Sequence, residues 1–136
     1  YHMVVGVPGS GKKTTILSLL KILTQLKKRV LVVSFTNGAV DSLLLRLKES
    51  GFNQFVRVAS SVSSVAEPIR EHARTRSSFS KMTDVKDMLD STYVFGATCL
   101  QVTNDIFSCV KFDYCVMDEA SQITEPIAIG PLLLAQ

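Results

Sequence analysis

The sequence predicts an α/β fold in which a parallel β-sheet is flanked by helices. Short β-branched or aromatic runs alternate along the chain with segments of helical periodicity, which is the pattern of parallel strands joined by right-handed crossovers. A glycine-rich stretch at residues 6–15 stands between an apolar run and a helical pattern, where such folds bind phosphates. With 136 residues, 46% of them hydrophobic and 20% charged, the chain can bury one globular core.

The predicted elements follow one another in a regular order. Apolar residues at helical spacing predict the helices, and continuous β-branched or aromatic runs predict the strands. The predicted strands are residues 3–5, 30–34, 55–59, 93–97 and 112–117, and the predicted helices are 16–28, 37–50 and 81–89. Residues 60–80 are rich in serine and lack a lasting apolar period, so we expect an exposed, weakly ordered and partly helical insertion there.

Residues 6–12 read Gly-Val-Pro-Gly-Ser-Gly-Lys, the Gly-x-x-x-x-Gly-Lys part of a phosphate-binding loop. Glycines let the backbone close around an anion with its N–H groups inward, and the helix N-terminus adds partial positive charge. Lys12 is placed to reach the β- and γ-phosphates of a nucleotide. A glycine turn that only caps the next helix is the alternative. The predicted nucleotide-binding residues of this stretch are Gly6, Pro8, Gly9, Ser10, Gly11, Lys12, Lys13 and Thr14.

Position 13 departs from the phosphate-loop signature. The signature has Ser or Thr after the lysine, so that a hydroxyl can bind Mg²⁺, whereas this chain has Lys13. Thr14 and Thr15 follow, but each helical step turns the side chain by about 100°, so neither hydroxyl simply replaces the missing one. The sequence therefore predicts a phosphate site with a damaged magnesium site.

An acidic pair follows the last predicted strand. Asp118 and Glu119 come directly after residues 112–117, at the carboxyl end of a strand, where parallel sheets place their chemistry. Asp118 is the predicted magnesium ligand, and Glu119 is placed to orient and deprotonate an attacking water. The alternative is that Asp118 or Ser121 only caps the next helix. Lys12, Asp118 and Glu119 are the predicted catalytic residues.

Four stretches occur in an order that resembles a known family. They are residues 6–12, Ser-Phe-Thr-Asn-Gly-Ala-Val-Asp-Ser-Leu-Leu-Leu-Arg-Leu at 34–47, Gly-Ala-Thr-Cys at 96–99, and Phe-Asp-Tyr-Cys-Val-Met-Asp-Glu-Ala-Ser-Gln-Ile at 112–123. They resemble motifs I, Ia, Ic and II of superfamily 1 helicases of the 5′-to-3′ branch. The resemblance is greatest to the eukaryotic DNA replication ATP-dependent helicase/nuclease family, and RNA-surveillance helicases of the same branch come second. It covers nearly the whole chain.

The resemblance implies a RecA-like ATP-binding lobe of the P-loop NTPase class. It implies ATP and Mg²⁺ as cofactors, and single-stranded nucleic acid as a partner in the nucleus, with DNA favoured over RNA. Thr36, Asn37, Asp41 and Thr98 would then face the nucleic acid, and Gln122 would couple it to the nucleotide. A cap on the helix at residue 37 is an equally good interpretation of Thr36.

The resemblance also implies that the lobe, residues 1–136, is a fragment. A second RecA-like lobe, which completes the ATP pocket in this family, has no counterpart in the chain. The family's nuclease residues and iron–sulfur cysteines have none either. We therefore expect half of an ATP pocket, which would not unwind nucleic acid alone.

Charge and cysteine content agree with an intracellular partner of polyanions. The first 76 residues contain 12 basic and 4 acidic residues, whereas the last 60 contain 3 and 8. Cys99, Cys109 and Cys115 have neither a Cys-x-x-Cys pair nor metal-ligand spacing, so we expect buried thiols in a reducing compartment. No uncharged run is long enough to cross a bilayer, and we expect no membrane contact.

Two other functions remain open at the level of sequence. A small-molecule P-loop kinase would use the same loop, but that function does not explain the motifs at residues 36–41 and 118–122. A module that binds nucleotide and nucleic acid without hydrolysis is compatible with Lys13. The basic cluster at Arg70, Arg74 and Arg76 favours a solvated loop over a nucleic-acid contact.

Overall fold

The computed structural model describes residues 1–7, 9–78 and 82–135. The strands are β1 (Val30–Ser34), β2 (Phe55–Val58), β3 (Ala73–Arg74), β4 (Val94–Thr98) and β5 (Tyr114–Met117). The helices are α1 (Lys12–Gln25), α2 (Asn37–Glu49), α3 (Met82–Ser91) and α4 (Glu125–Leu133). Short 3₁₀ turns are Val62–Ser64, Glu67–His72, Arg76–Ser78, Cys99–Thr103, Asp105–Cys109 and Ala120–Gln122. Lys81, the predicted start of a helix, lies outside the described residues.

The five strands form one parallel sheet in the order β3-β2-β4-β1-β5. Strand β1 lies between the central strand β4 and the edge strand β5 and pairs with both, and its last residue, Ser34, lies opposite Thr98 at the end of β4. The predicted parallel α/β architecture is therefore confirmed. The carboxyl ends of β1, β4 and β5 meet at one edge of the sheet.

Both faces of the sheet are buried along β1, β2 and β4, as their continuous apolar sequences require. Val30 and Val32 of β1 lie in the core beneath α1 and α2. Leu31 and Val33 point to the opposite face, into a second core with Phe95 and the segments that follow β4. The result is a three-layer arrangement of helices, sheet, and mixed α and 3₁₀ segments.

The N-terminal segment differs from the prediction. Residues 1–7 form no strand, and the side chains of Met3, Val4 and Val5 are exposed. An extended segment becomes a strand only where its backbone pairs with a neighbour, and these residues pair with no strand of the described sheet. The predicted strand at residues 3–5 is therefore wrong for this structure.

The described part of the serine-rich segment, residues 60–78, is more ordered than expected. It contains β3, which pairs with β2 at the edge of the sheet, and its side chains Val65 and Ile69 are buried in the core. Lys48 of α2 also forms an ion pair with Glu71, at 2.7 Å. Isolated apolar residues between serines gave no periodic signal, yet they anchor the segment to α2.

The three cysteines are free, as expected, but only two are sheltered. Burial raises the pKa of Cys99 and raises the pKa of Cys115 to about 12. Cys109 is exposed, so the expectation of a buried thiol is wrong there. Cys99 directly follows β4 and Cys115 lies in β5, and both thiols act as small apolar side chains in the second core.

Alkylation should distinguish these thiols. Iodoacetamide at about pH 8 should label Cys109 rapidly, because its sulfur is exposed to the reagent. It should leave Cys115 unmodified, because the thiolate is the nucleophile and burial both raises the pKa of this thiol and restricts access to it. Mass spectrometry of the native protein, compared with the urea-unfolded protein as a control, measures the difference. Equal labelling of the two cysteines in the native protein would contradict the described burial.

Gly96 allows α2 to lie close to the sheet. A methyl group at position 96 would lie 2.6 Å from Cδ1 of Leu44 and 3.1 Å from Cγ1 of Val40. Both α2 side chains are fully buried, so they have little room to move away. The close approach of α2 to β4 therefore depends on a glycine at this position.

Gly96→Ala should lower the free energy of unfolding by about 1–3 kcal/mol, because it overpacks the contact between α2 and β4. Urea denaturation measures the change, provided that the dependence of the unfolding free energy on urea concentration has the same slope in both proteins. Gly38→Ala is the matched control: apart from its chain neighbours and the local helix backbone, no atom lies within 4 Å of a methyl group there, and alanine favours the helix. A similar loss in both variants would show that packing is not the cause.

Candidate nucleotide-binding site

The glycine-rich loop has the backbone geometry that an anion cradle needs. Gly9 and Gly11 have φ angles of 81° and 87°, in the left-handed region that glycine adopts without steric cost. The backbone N–H of Ser10 donates to the carbonyl of Val7 at 3.1 Å, which closes the turn. Gly6, Ser10 and Gly11 are exposed, and Pro8 lies outside the described residues.

The loop leads directly into the N-terminus of α1. Gly11 is the N-cap residue, no side chain caps the helix, and its first turn contains no acidic residue. The partial positive charge of the helix end is therefore not compensated locally. Thr14 is exposed in this first turn. This end of α1 can accept a phosphate group.

The ammonium of Lys12 lies against the loop that it follows. Its Nζ donates to the carbonyl of Gly6 and, at 2.9 Å, to the carbonyl of Val7. These hydrogen bonds are exposed, so an anion in the loop could compete for the same donor. Among the described ion pairs, Lys12 is not a partner of Asp118.

Lys13, rather than Lys12, forms the ion pair with Asp118. Its Nζ lies 3.9 Å from Oδ2 of Asp118 and donates to the hydroxyl of Ser42 in α2 at 3.4 Å. The side chain of Lys13 is 28% exposed and that of Asp118 is 7% exposed. The start of α1 and the end of β5 therefore meet in one site.

Asp118 is held at the edge of the sheet by its own backbone. Its N–H donates to the carbonyl of Val33 at 2.9 Å, which extends the pairing of β1 with β5. Oδ1 accepts from the N–H of Glu119 at 3.1 Å, whereas the buried Oδ2 has no hydrogen-bond partner among the described residues. The buried hydroxyl of Ser34, at the end of β1, is likewise unpartnered there.

Glu119 has an unusual backbone conformation. Its φ angle is 54°, in the left-handed region that non-glycine residues rarely adopt, and such strain is concentrated at functional turns. Its carbonyl accepts from the N–H of Gln122 at 2.9 Å, at the end of the turn Ala120–Gln122. Both side chains are exposed, so the turn presents them to solvent beside Asp118.

The residues predicted to face nucleic acid lie around the N-terminus of α2 and the end of β4. Thr36 caps α2, since its hydroxyl accepts from the N–H of Ala39 at 3.2 Å. Thr98 is buried at the carboxyl end of β4, level with Ser34. Both positions lie at the same edge of the sheet as Asp118.

Asn37 and Asp41 bind a residue that sequence reasoning missed. Arg57 of β2 is fully buried, and its Nε donates to Oδ1 of Asp41 at 2.6 Å. A second guanidinium nitrogen donates to Oδ1 of Asn37 at 2.7 Å. The remaining carboxylate oxygen of Asp41 accepts from the N–H of Ala66 at 2.9 Å. The available signal was an arginine within the apolar strand Phe55–Val58.

A cleft of about 480 Å³ opens beside this network. It lies between the first turns of α2 and the serine-rich segment, where Ser63 and Ser64 are exposed. Asn37 and Asp41 line the cleft, but Oδ1 of each already accepts a hydrogen bond from Arg57. The polar groups that remain available here include the side-chain NH2 of Asn37, the serine hydroxyls and the N-terminus of α2.

The model for the AAA domain family matches residues 1–86 and 52–136, which together cover the chain. The chain belongs to the AAA domain family. A five-stranded parallel sheet with a glycine-rich phosphate loop gives this AAA domain the P-loop NTPase fold that the sequence predicted.

Curated relatives agree with the resemblance seen in the motifs. The AAA domain is 39% identical, over 99% of its length, to the DNA replication ATP-dependent helicase/nuclease DNA2 of Xenopus laevis. It is 37% identical to the helicase/nuclease JHS1 of Arabidopsis thaliana over 99% of its length, and 33% identical to human DNA2 over 100%. It spans 13%, 10% and 13% of those proteins, respectively. The predicted family resemblance is confirmed.

Two other features of the described residues bear on the predictions. No helix among them is both long and apolar enough to span a membrane. Nor do the described residues gather three or more His, Cys, Asp or Glu side chains into a group that could hold a metal ion. Asp118 therefore belongs to no such cluster within the described residues.

Asp41→Ala should lower the free energy of unfolding by about 3–5 kcal/mol, because it leaves the buried guanidinium of Arg57 without its counter-charge. Urea denaturation measures the loss. Glu71→Ala is the matched control, since it breaks an ion pair whose carboxylate is 66% exposed and should cost far less. Comparable losses would mean that the Arg57 contact contributes little.

Proposed function

We propose that this AAA domain is the first RecA-like, ATP-binding lobe of a nuclear 5′-to-3′ DNA helicase of the replication helicase/nuclease type. The observation that carries the proposal is the meeting of α1 and Asp118, where the phosphate loop and the acidic pair reach one edge of the sheet. The relatives are named ATP-dependent helicase/nucleases of DNA replication, which supports ATP and DNA as ligands.

The phosphates of ATP would lie in the glycine-rich loop at the start of α1. Gly9 and Gly11 allow the backbone to approach the anion, and the uncapped helix end supplies N–H donors. Lys12 would exchange its contacts with loop carbonyls for the β- and γ-phosphates. This exchange is favourable because a hydrogen bond between two charged groups is stronger than one to a neutral carbonyl.

Hydrolysis would depend on the acidic turn after β5. Glu119 is exposed in a strained turn, where it can orient and deprotonate water, and Asp118 provides a buried negative charge. Magnesium is the expected partner of Asp118 in this class of enzyme, and it would screen the phosphate charge. The donor set does not fit an ordinary magnesium site, because Lys13 brings an ammonium where the hydroxyl ligand belongs.

Single-stranded DNA would run past the N-terminus of α2 and the end of β4. Thr36 and the first N–H groups of α2 can hold a backbone phosphate without reading sequence. Asn37 and Asp41 would position this helix through Arg57, and Gln122 lies in the turn that connects Asp118 to α4. A second lobe would complete the ATP pocket. The relatives' names favour DNA over the RNA-helicase alternative.

Lys12→Ala tests the proposal in the full-length protein. Loss of a charge-assisted contact worth about 1.5–3 kcal/mol should weaken binding of a fluorescent ATP analogue by about tenfold to a hundredfold. Unwinding of a DNA duplex with a 5′ single-stranded tail should stop, while single-stranded DNA binding continues.

Lys21→Ala, on the same helix but outside the site, is the matched control and should leave nucleotide binding and unwinding unchanged. Equal effects of the two substitutions would contradict the role of Lys12. Unwinding of an RNA duplex in preference to DNA would favour the RNA alternative.

A further inference from the structure

The ammonium of Lys13 occupies an uncommon position in the candidate nucleotide site. It lies in the first turn of α1, beside the buried Oδ2 of Asp118 at 3.9 Å, and donates to Ser42 of α2 at 3.4 Å. This cation, carried by α1, therefore contacts both α2 and the residue that follows β5. The contact with Ser42 restrains the side chain near Asp118.

We propose that Lys13 provides, from the protein itself, the positive charge that a divalent metal provides in related sites. The nucleoside triphosphate then binds with similar affinity in the presence and absence of Mg²⁺. This inference rests on the proposed nucleotide-binding function.

The charges around the site support this role. Lys12 and Lys13 are adjacent at a helix N-terminus whose first turn has no acidic residue, so two cations and the helix end face the loop. Asp118 is the buried carboxylate at this point, and Lys13 is its ion-pair partner among the described residues. A triphosphate entering the loop therefore meets net positive charge without a bound metal.

The same contacts oppose a metal at Asp118. A lysine ammonium has three donors and no lone pair, so Lys13 cannot ligate a cation as a serine or threonine hydroxyl does. Its charge also repels a divalent ion twice as strongly as it repels a monovalent one at the same distance. The nearby hydroxyl of Thr15 donates to the carbonyl of Gly11 at 3.3 Å, so it is already engaged within the helix.

Substitution at position 13 should convert one kind of site into the other. Lys13→Thr removes the internal cation and restores the hydroxyl of the usual signature. Lys13→Met removes the charge at similar length without adding a ligand, and Lys13→Arg keeps the charge. Lys21→Thr is the matched control, because it makes the same chemical change further along α1, away from Asp118.

The experiment is a titration of the full-length protein with a fluorescent ATP analogue, once with excess Mg²⁺ and once with EDTA. For the unmodified protein, Lys13→Arg and Lys21→Thr, the two dissociation constants should agree within about threefold. For Lys13→Thr, EDTA should weaken binding by about tenfold or more, because the metal then supplies the missing charge. Lys13→Met should bind about tenfold more weakly than the unmodified protein in EDTA.

The unmodified protein decides the matter even if a variant fails to fold. If the unmodified protein binds the nucleotide about tenfold or more weakly in EDTA than in Mg²⁺, the proposed role of Lys13 is overturned, and the proposed ATP-binding function still stands. Absence of nucleotide binding with and without Mg²⁺ would overturn both. Circular dichroism identifies any variant whose weak binding reflects unfolding.

Discussion

The parallel pairing of β1 with both β4 and β5 is the constraint on which the candidate site depends. It brings Ser34 and Thr98 level with one another, and the hydrogen bond from Asp118 to Val33 continues the ladder beyond β5. Residues separated by more than 80 positions thus reach one edge of the sheet. The helix α2 begins at the same edge, three residues after Ser34. Without this register, Lys13 could not meet Asp118.

Much of this architecture was predictable because it follows from local patterns. Continuous β-branched runs such as Val30–Ser34 indicated strands buried on both faces, and periodic leucines indicated α2. The placement of Asp118 at a strand end followed from the same reasoning. The segment at residues 3–5 is equally apolar but has no partner strand in this structure. Its local sequence pattern could not predict this, because strand pairing depends on residues that are distant in the chain.

What the sequence could not predict are contacts between distant residues. The sequence showed that Lys13 replaces the Ser or Thr of the phosphate-loop signature, but it did not predict the position of the Lys13 ammonium. Only the fold places it between Asp118 and Ser42. Arg57 was similarly visible within an apolar strand, and its partners on α2 were not. For Asn37 and Asp41 the motif suggested a contact with nucleic acid, and it did not show that Oδ1 of each accepts a hydrogen bond from a buried guanidinium.

The buried guanidinium also limits how this region can diverge. Arg57 is fully buried and donates to two residues of α2 and to the carbonyl of Val58, so the loss of a partner leaves a buried donor without its hydrogen bond. A chain that exchanges Arg57 for an apolar residue would leave the carboxylate of Asp41 buried beside a neutral neighbour. Positions 41 and 57 should therefore change together in evolution, as a correlated pair whose single intermediates fold poorly.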